Sequence, residues 1–122
     1  ERQSAVHLKL SVLSSVVKGK RLVLIDDSIV RGTTMASLIR MLKDAGATEV
    51  HVRISSPPFL FPCYYGTDVP SNDQLIASSH TAAEICASIG ADSLGYMKLE
   101  DLKQMTGDLP LCKACFDSHY PV

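Results

Sequence analysis

The sequence predicts an α/β fold: part of a doubly wound parallel sheet with flanking helices, followed by an irregular cysteine-containing tail. Three observations predict it. Residues 21–26, RLVLID, form a continuous apolar run ending in acid, the pattern of a buried parallel strand. In the next segment, MASLIRMLKDAG, Met35, Leu38, Ile39 and Leu42 recur at i, i+3, i+4, i+7, one face of a helix. Residues 49–54, EVHVRI, are β-branched and alternate, which gives a second strand and completes a βαβ unit.

Each boundary has a local cause. Thr33 or Thr34 is placed to cap the first helix, and Gly46 to end it. The stretch SSPPFLFPCYYGTDVP carries four of the six prolines and reads as an irregular loop. Asp73 to Ala77 suit a short helix behind Ser71. Thr81 with Glu84 three residues on is a capping box, and Gly90 stops the helix that follows. SLGYM, 93–97, is a third strand, and Leu99 to Met105 a last short helix. From Gly107 the chain has no period. The expected division is a folded portion, 1–106, and a tail, 107–122.

The bulk numbers restrict function. The 122 residues are 46% hydrophobic, enough to form a core. A net charge of −1 without a basic cluster argues against nucleic acid as partner. No apolar run is long enough to span a bilayer, and the start ERQSAVHLKL lacks the order of a signal peptide. Four cysteines in an aliphatic-rich chain suit a reducing, cytoplasmic setting rather than a disulfide scaffold. A first residue of Glu, not Met, is expected of a processed or truncated piece.

The segment with the most chemistry is VLIDDSIVRGTT, 23–34. Asp26 and Asp27 stand side by side at a strand end, where ligands of such sheets bind. Ser28, Ile29, Val30, Arg31, Gly32, Thr33 and Thr34 then lead into a helix N-terminus. Amides, the helix dipole and three hydroxyls there make a phosphate cradle, and Gly32 permits close approach. Acids for sugar hydroxyls or Mg²⁺ beside a phosphate cradle suit a phosphorylated sugar. The loop is neither a Walker A loop nor a GxGxxG fingerprint. A plain capped turn, or a receiver-type acidic pocket, accounts for the same residues.

Cys112 and Cys115 form CxxC, and Cys63 sits in PCYYG. With His80 or His119 these thiols could make a zinc site, and tetrahedral thiolate sites fit iron–sulfur equally well. Cys86 shares a helix face with Ala82, Ile85 and Ile89 and reads as a buried small hydrophobe. His51 lies in an alternating strand and receives no role; His7, like His80 and His119, suits a solvated residue. Ser55 and Ser56 follow a strand end and serve equally as turn residues or site lining. Tyr64 and Tyr65 suit packing around the cysteine tail. No Ser–His–Asp or HExxH motif is present.

VLIDDSIVRGTT resembles the PRPP-binding motif of type I phosphoribosyltransferases. GKRLVLIDDSIVRGTT, AGATEVHVRISSPP, PCYYGTD, IGADSLGYM and CKACFDSHYP together are similar to the amidophosphoribosyltransferases, in family order from about Lys9 to Pro121. That resemblance implies an enzyme in which a glutaminase domain of the same polypeptide frees ammonia. The phosphoribosyltransferase domain then uses the ammonia to displace pyrophosphate from PRPP, giving 5-phosphoribosylamine, the first step of de novo purine synthesis.

By the same resemblance Asp26 and Asp27 hold the ribose hydroxyls and Mg²⁺, and Ser28 through Thr34 wrap the 5′-phosphate. Cys63, Cys112 and Cys115 would be three ligands of a [4Fe–4S] cluster, the fourth lying upstream of residue 1. Purine nucleotides and further copies of the chain are the other expected partners. The glutaminase and the pyrophosphate-binding segments are expected outside this chain, so the 122 residues alone should bind PRPP weakly and turn nothing over. A non-catalytic PRPP sensor and a thiolate metal module are the alternatives.

Overall fold

The computed structural model describes residues 14–69 and 71–121; His7 and Lys9, where the resemblance begins, lie outside them. Its centre is a parallel sheet of three strands, β1 (Arg21–Asp26), β2 (Glu49–Ile54) and β3 (Ser93–Tyr96), in the order β1-β2-β3. Arg21 pairs with Glu49 and Asp26 with Ile54; His51 pairs with Ser93 and Ile54 with Tyr96. This is the partial α/β sheet that the strand–helix alternation predicts.

Helix α1 (Thr33–Asp44) joins β1 to β2, and helix α2 (Ala82–Ile89) precedes β3. Both bury an apolar face against one side of the sheet. Met35, Ile39 and Leu42 come from α1, Ile85 and Ile89 from α2, and Val50, Val52 and Ile54 from β2. Val50, Val52, Ile39 and Ile85 are among the most buried side chains of the fold. Leu22, Leu24, Leu94 and Tyr96 extend this core on the flanking strands.

The other side of the sheet is open among the described residues. RLVLID reads as a strand buried on both faces, yet Val23 is 65% and Ile25 73% exposed. The reason is position: β1 is an edge strand of the described sheet, and α1 and α2 both pack on the face of Leu22 and Leu24. A continuous apolar run specifies that both faces can be covered; it does not say which residues cover the second.

Local signals resolve unequally. The capping box of α2 is complete, with the Glu84 amide donating to Thr81 Oγ1 at 3.2 Å and the Thr81 amide to Glu84 Oε1 at 2.9 Å. The cap expected from Thr33 or Thr34 is not formed: the N-cap of α1 is Gly32 at φ 86°, with no side-chain cap. Gly46, at φ 106°, ends α1 as expected, and its carbonyl accepts the Gly19 amide at 2.8 Å. The short helix expected over 73–77 is a pair of 3₁₀ turns, Asn72–Gln74 and Ile76–Ser78, with Leu75 buried between them. The last predicted helix lies one to two residues later, as α3 (Asp101–Thr106).

The tail is not without order. It holds a short helix, α4 (Ala114–Asp117), and packs on the proline-rich loop. The Leu60 and Phe61 amides both donate to the Cys115 carbonyl, at 2.9 and 3.1 Å. Phe59 meets Phe116, Tyr64 meets Tyr120, and Tyr120 Oη donates to the Pro62 carbonyl at 2.8 Å. Tyr64 thus packs against the tail, as its place beside Cys63 suggests. Tyr65 is exposed.

Candidate phosphosugar site

β1 ends at Asp26, and the chain crosses from the sheet edge to α1 through the loop 27–32. The backbone of that strand end is fixed: the Asp26 carbonyl accepts the Ser55 amide at 3.0 Å and Ser55 Oγ at 3.3 Å. Ser55 therefore braces the acidic strand end, whereas Ser56 bonds the Pro57 carbonyl. Asp26 Oδ1 accepts the Asp27 amide at 2.8 Å, and Asp27 Oδ1 accepts Ser28 Oγ at 3.1 Å. Both carboxylates are exposed, so water screens their repulsion and neither carries the full penalty of burial.

Beyond them is a cavity of about 380 Å³. Asp26 and every residue from Ser28 to Thr34 line it, with Met35 and Leu38 behind. Asp27 does not line it. The structure thus brings the predicted loop residues around one space, with a single exception.

The helix start facing that cavity is left unsatisfied. The first amides of any helix have no intrahelical acceptor. At α2 the capping box supplies acceptors; at α1 no side chain caps the end, and the first turn holds no acid. Uncapped amides at the positive end of a 12-residue helix, beside the hydroxyls of Ser28, Thr33 and Thr34, form a site for an anion. Gly32 is required where it stands because its φ of 86° is left-handed, a region that side chains enter with strain. Ile29, only 3% exposed, anchors the loop to the core.

The cysteines fall into two settings. Cys63 Sγ accepts the amides of Tyr65 and Thr67, both at 3.4 Å. Those amides, that of Tyr65 first, hold its thiol below the ordinary value. Burial pushes the Cys115 thiol up. Among the described residues no three His, Cys, Asp or Glu converge as ligands of a single ion. His80 is engaged by Ser79 Oγ at 2.8 Å, and the His119 side chain is 87% exposed. Cys86 is half-buried rather than fully enclosed, and its Sγ donates to the Ala91 carbonyl at 3.3 Å. Ala82, expected on the same face, is exposed.

His51, which the sequence leaves without a role, joins Glu49 Oε2 at 2.8 Å to Ser93 Oγ at 2.7 Å on the open side of the sheet. Arg53 Nη1 donates to the same Ser93 oxygen at 2.9 Å. The pairing of β2 with β3 makes this row. Glu49 and His51 share an alternating strand face, but nothing in the sequence announces Ser93 as their neighbour.

Comparison with known proteins gives the likeness of the whole chain. The chain is 50% identical to the amidophosphoribosyltransferase of Archaeoglobus fulgidus and 54% identical to that of Pyrococcus horikoshii, over 99% and 98% of its own length. It is thus similar to a segment of each. The segment is 27% of each of those relatives, so the chain spans about a quarter of their length. No protein-family model matches it. Among solved structures, the glutamine PRPP amidotransferase of Bacillus subtilis complexed with ADP and GMP superposes with a TM-score of 0.81 at 50% identity. The superposition covers 89% of this chain and 25% of that one. At such identity the amidophosphoribosyltransferase likeness extends to the fold as well as the motifs.

Proposed function

We propose that the chain is part of an enzyme that transfers ammonia from glutamine to PRPP, giving 5-phosphoribosylamine at the first step of purine synthesis. The carrying observation is the uncapped start of α1, opening on the cavity beside the Asp26–Asp27 pair. In this reading the α1 amides and the hydroxyls of Ser28, Thr33 and Thr34 take the 5′-phosphate. Asp26 and Asp27 accept the ribose hydroxyls. As the bond from C1 to pyrophosphate breaks, positive charge grows on the ribose ring, and the two carboxylates favour it. Ammonia forms the new bond to C1. Positioning supplies much of the remaining rate.

Two inorganic groups belong to this reading. Asp26 and Asp27 suit Mg²⁺, because both are solvent-facing carboxylates and hard oxygen donors. The ion, when bound, would neutralise charge on the departing pyrophosphate. Cys63, Cys112 and Cys115 suit three corners of a [4Fe–4S] cluster. Amides already directed at Cys63 Sγ favour a thiolate, and a cluster takes its thiolates at wider spacing than a single ion. The proposed setting is cytoplasmic. The proposed partners are purine nucleotides, a glutaminase domain of the same polypeptide, and further copies of the chain; neither nucleic acid nor a membrane is among them. No helix of the described residues is long and apolar enough to cross a membrane.

Calorimetric titration of the purified chain with PRPP and Mg²⁺ tests the reading. Weak binding without ammonia-dependent formation of phosphoribosylamine is expected, since one loop of the site lies within about a quarter of the enzyme's length. Absence of PRPP binding would overturn the site assignment. Clear turnover would overturn the view that this chain carries only the ribose-phosphate part.

A further inference from the structure

Arg31 is the one cation of the loop, and it is held in an unusual way. Its Nη2 donates to Gln74 Oε1 at 2.7 Å, across 43 residues of sequence. Among the described residues no carboxylate lies within ion-pair distance of it. An acid is at hand, because Asp73 precedes Gln74 in the same 3₁₀ turn. The fold uses the neutral neighbour.

The difference has a physical consequence. A carboxylate would fix the guanidinium equally well but would cancel its charge towards any other anion. An amide oxygen fixes it and leaves the charge in place. A guanidinium has five N–H donors, and this bond uses one.

Gln74 is itself well supported. Its backbone N–H donates to the Ser71 carbonyl at 3.3 Å, and Leu75 beside it is 2% exposed. The Ile76 amide donates to the Val30 carbonyl at 2.9 Å, so the same segment also holds the loop backbone. A side chain offered from an anchored turn loses little further freedom on making its bond.

We infer that Gln74 is a positioning residue for the phosphate loop, a neutral acceptor that aims the Arg31 guanidinium at an anionic ligand without neutralising it. The inference rests on the reading of loop 26–34 as a phosphosugar site and adds to it a residue outside the loop. Gln74 touches no ligand in this account and acts through Arg31.

The test compares Gln74→Glu with Gln74→Met in the full chain, titrated with ribose 5-phosphate and separately with inorganic phosphate, each beside a thermal melt. Gln74→Met removes the acceptor and should weaken ribose 5-phosphate about threefold. Gln74→Glu makes an ion pair and should weaken it more, roughly tenfold, with a melting midpoint at or above wild type. Arg31→Met should lose affinity at least as far as Gln74→Glu. A residue that only braced the loop would give the reverse order, with Gln74→Glu binding better than Gln74→Met, and that order would overturn the inference. So would undiminished binding by Arg31→Met. If the wild-type chain binds neither probe, the phosphosugar reading itself fails and takes the inference with it.

Discussion

Val30 and Ile76 are joined by a backbone hydrogen bond, the Ile76 amide donating to the Val30 carbonyl at 2.9 Å. The bond ties the middle of the loop 27–32 to a 3₁₀ turn far along the chain. Ile76 also closes the space above Gly32: a Cβ added there would stand 3.4 Å from Ile76 Cδ1 and 3.5 Å from Ile89 Cγ2. The loop is therefore bounded on one side by apolar side chains and open on the other to the cavity.

Gly32→Ala follows directly from that setting. The added methyl meets ordinary contact distances, so the cost comes from the left-handed φ of 86°, about 1–2 kcal/mol. Urea unfolding should report that loss of stability, and the distorted helix start should also weaken ribose 5-phosphate binding. Full stability in this variant would contradict the role assigned to the backbone.

The capping box of α2 predicts a local effect. Thr81→Ala should destabilise the chain by about 1 kcal/mol and leave ligand binding at the α1 loop unchanged. Chemical denaturation and a phosphate titration on the same sample check both halves.

Sequence legibility tracks how local each feature's cause is. The α2 capping box, the Gly46 stop and the apolar stripe of α1 depend on residues within a turn or two, and the structure contains all three. The loop that lines the cavity was legible because its acids, hydroxyls and glycine are contiguous. What escaped depends on pairing across the chain. Ser93 meets His51 only because β2 and β3 are in register, and Gln74 meets Arg31 only because two 3₁₀ turns fold back onto the loop. The cap expected from Thr33 or Thr34 failed for a different reason: Gly32 takes the N-cap position, and the amides it leaves free are the ones that the proposed site uses.

Burial separates two isoleucines, Ile39 on α1 and Ile25 on β1. Ile39 is 1% exposed and Ile25 is 73% exposed. Ile39→Ala should cost about 2–5 kcal/mol. Ile25→Ala should stay within about 0.5 kcal/mol. Equal losses would mean that the outer face of β1 is covered in solution.

Asp92 predicts a pH dependence. Its Oδ2 accepts the Val50 amide at 2.7 Å and faces Lys43 Nζ at 3.3 Å. The Val50 amide chiefly, and Lys43 after it, hold this carboxyl below the ordinary carboxylate value. A group whose folded value is depressed stabilises the fold above its unfolded value, about 4, and loses that contribution as pH falls through the folded value. Asp92→Asn keeps an acceptor for Val50 but removes the charge. The variant should be less stable than wild type at neutral pH, and the two unfolding curves should converge as pH falls below about 4.

The central claim is that the Asp26–Asp27 pair and the helix start behind it form the ribose-phosphate site. Its most direct test is calorimetric titration of PRPP with Mg²⁺ into the wild-type chain and into Asp26→Asn/Asp27→Asn, with the iron content of both proteins measured alongside. The account predicts binding by the wild type, none by the variant, and the same iron content in each. Undiminished PRPP binding by the variant would contradict it.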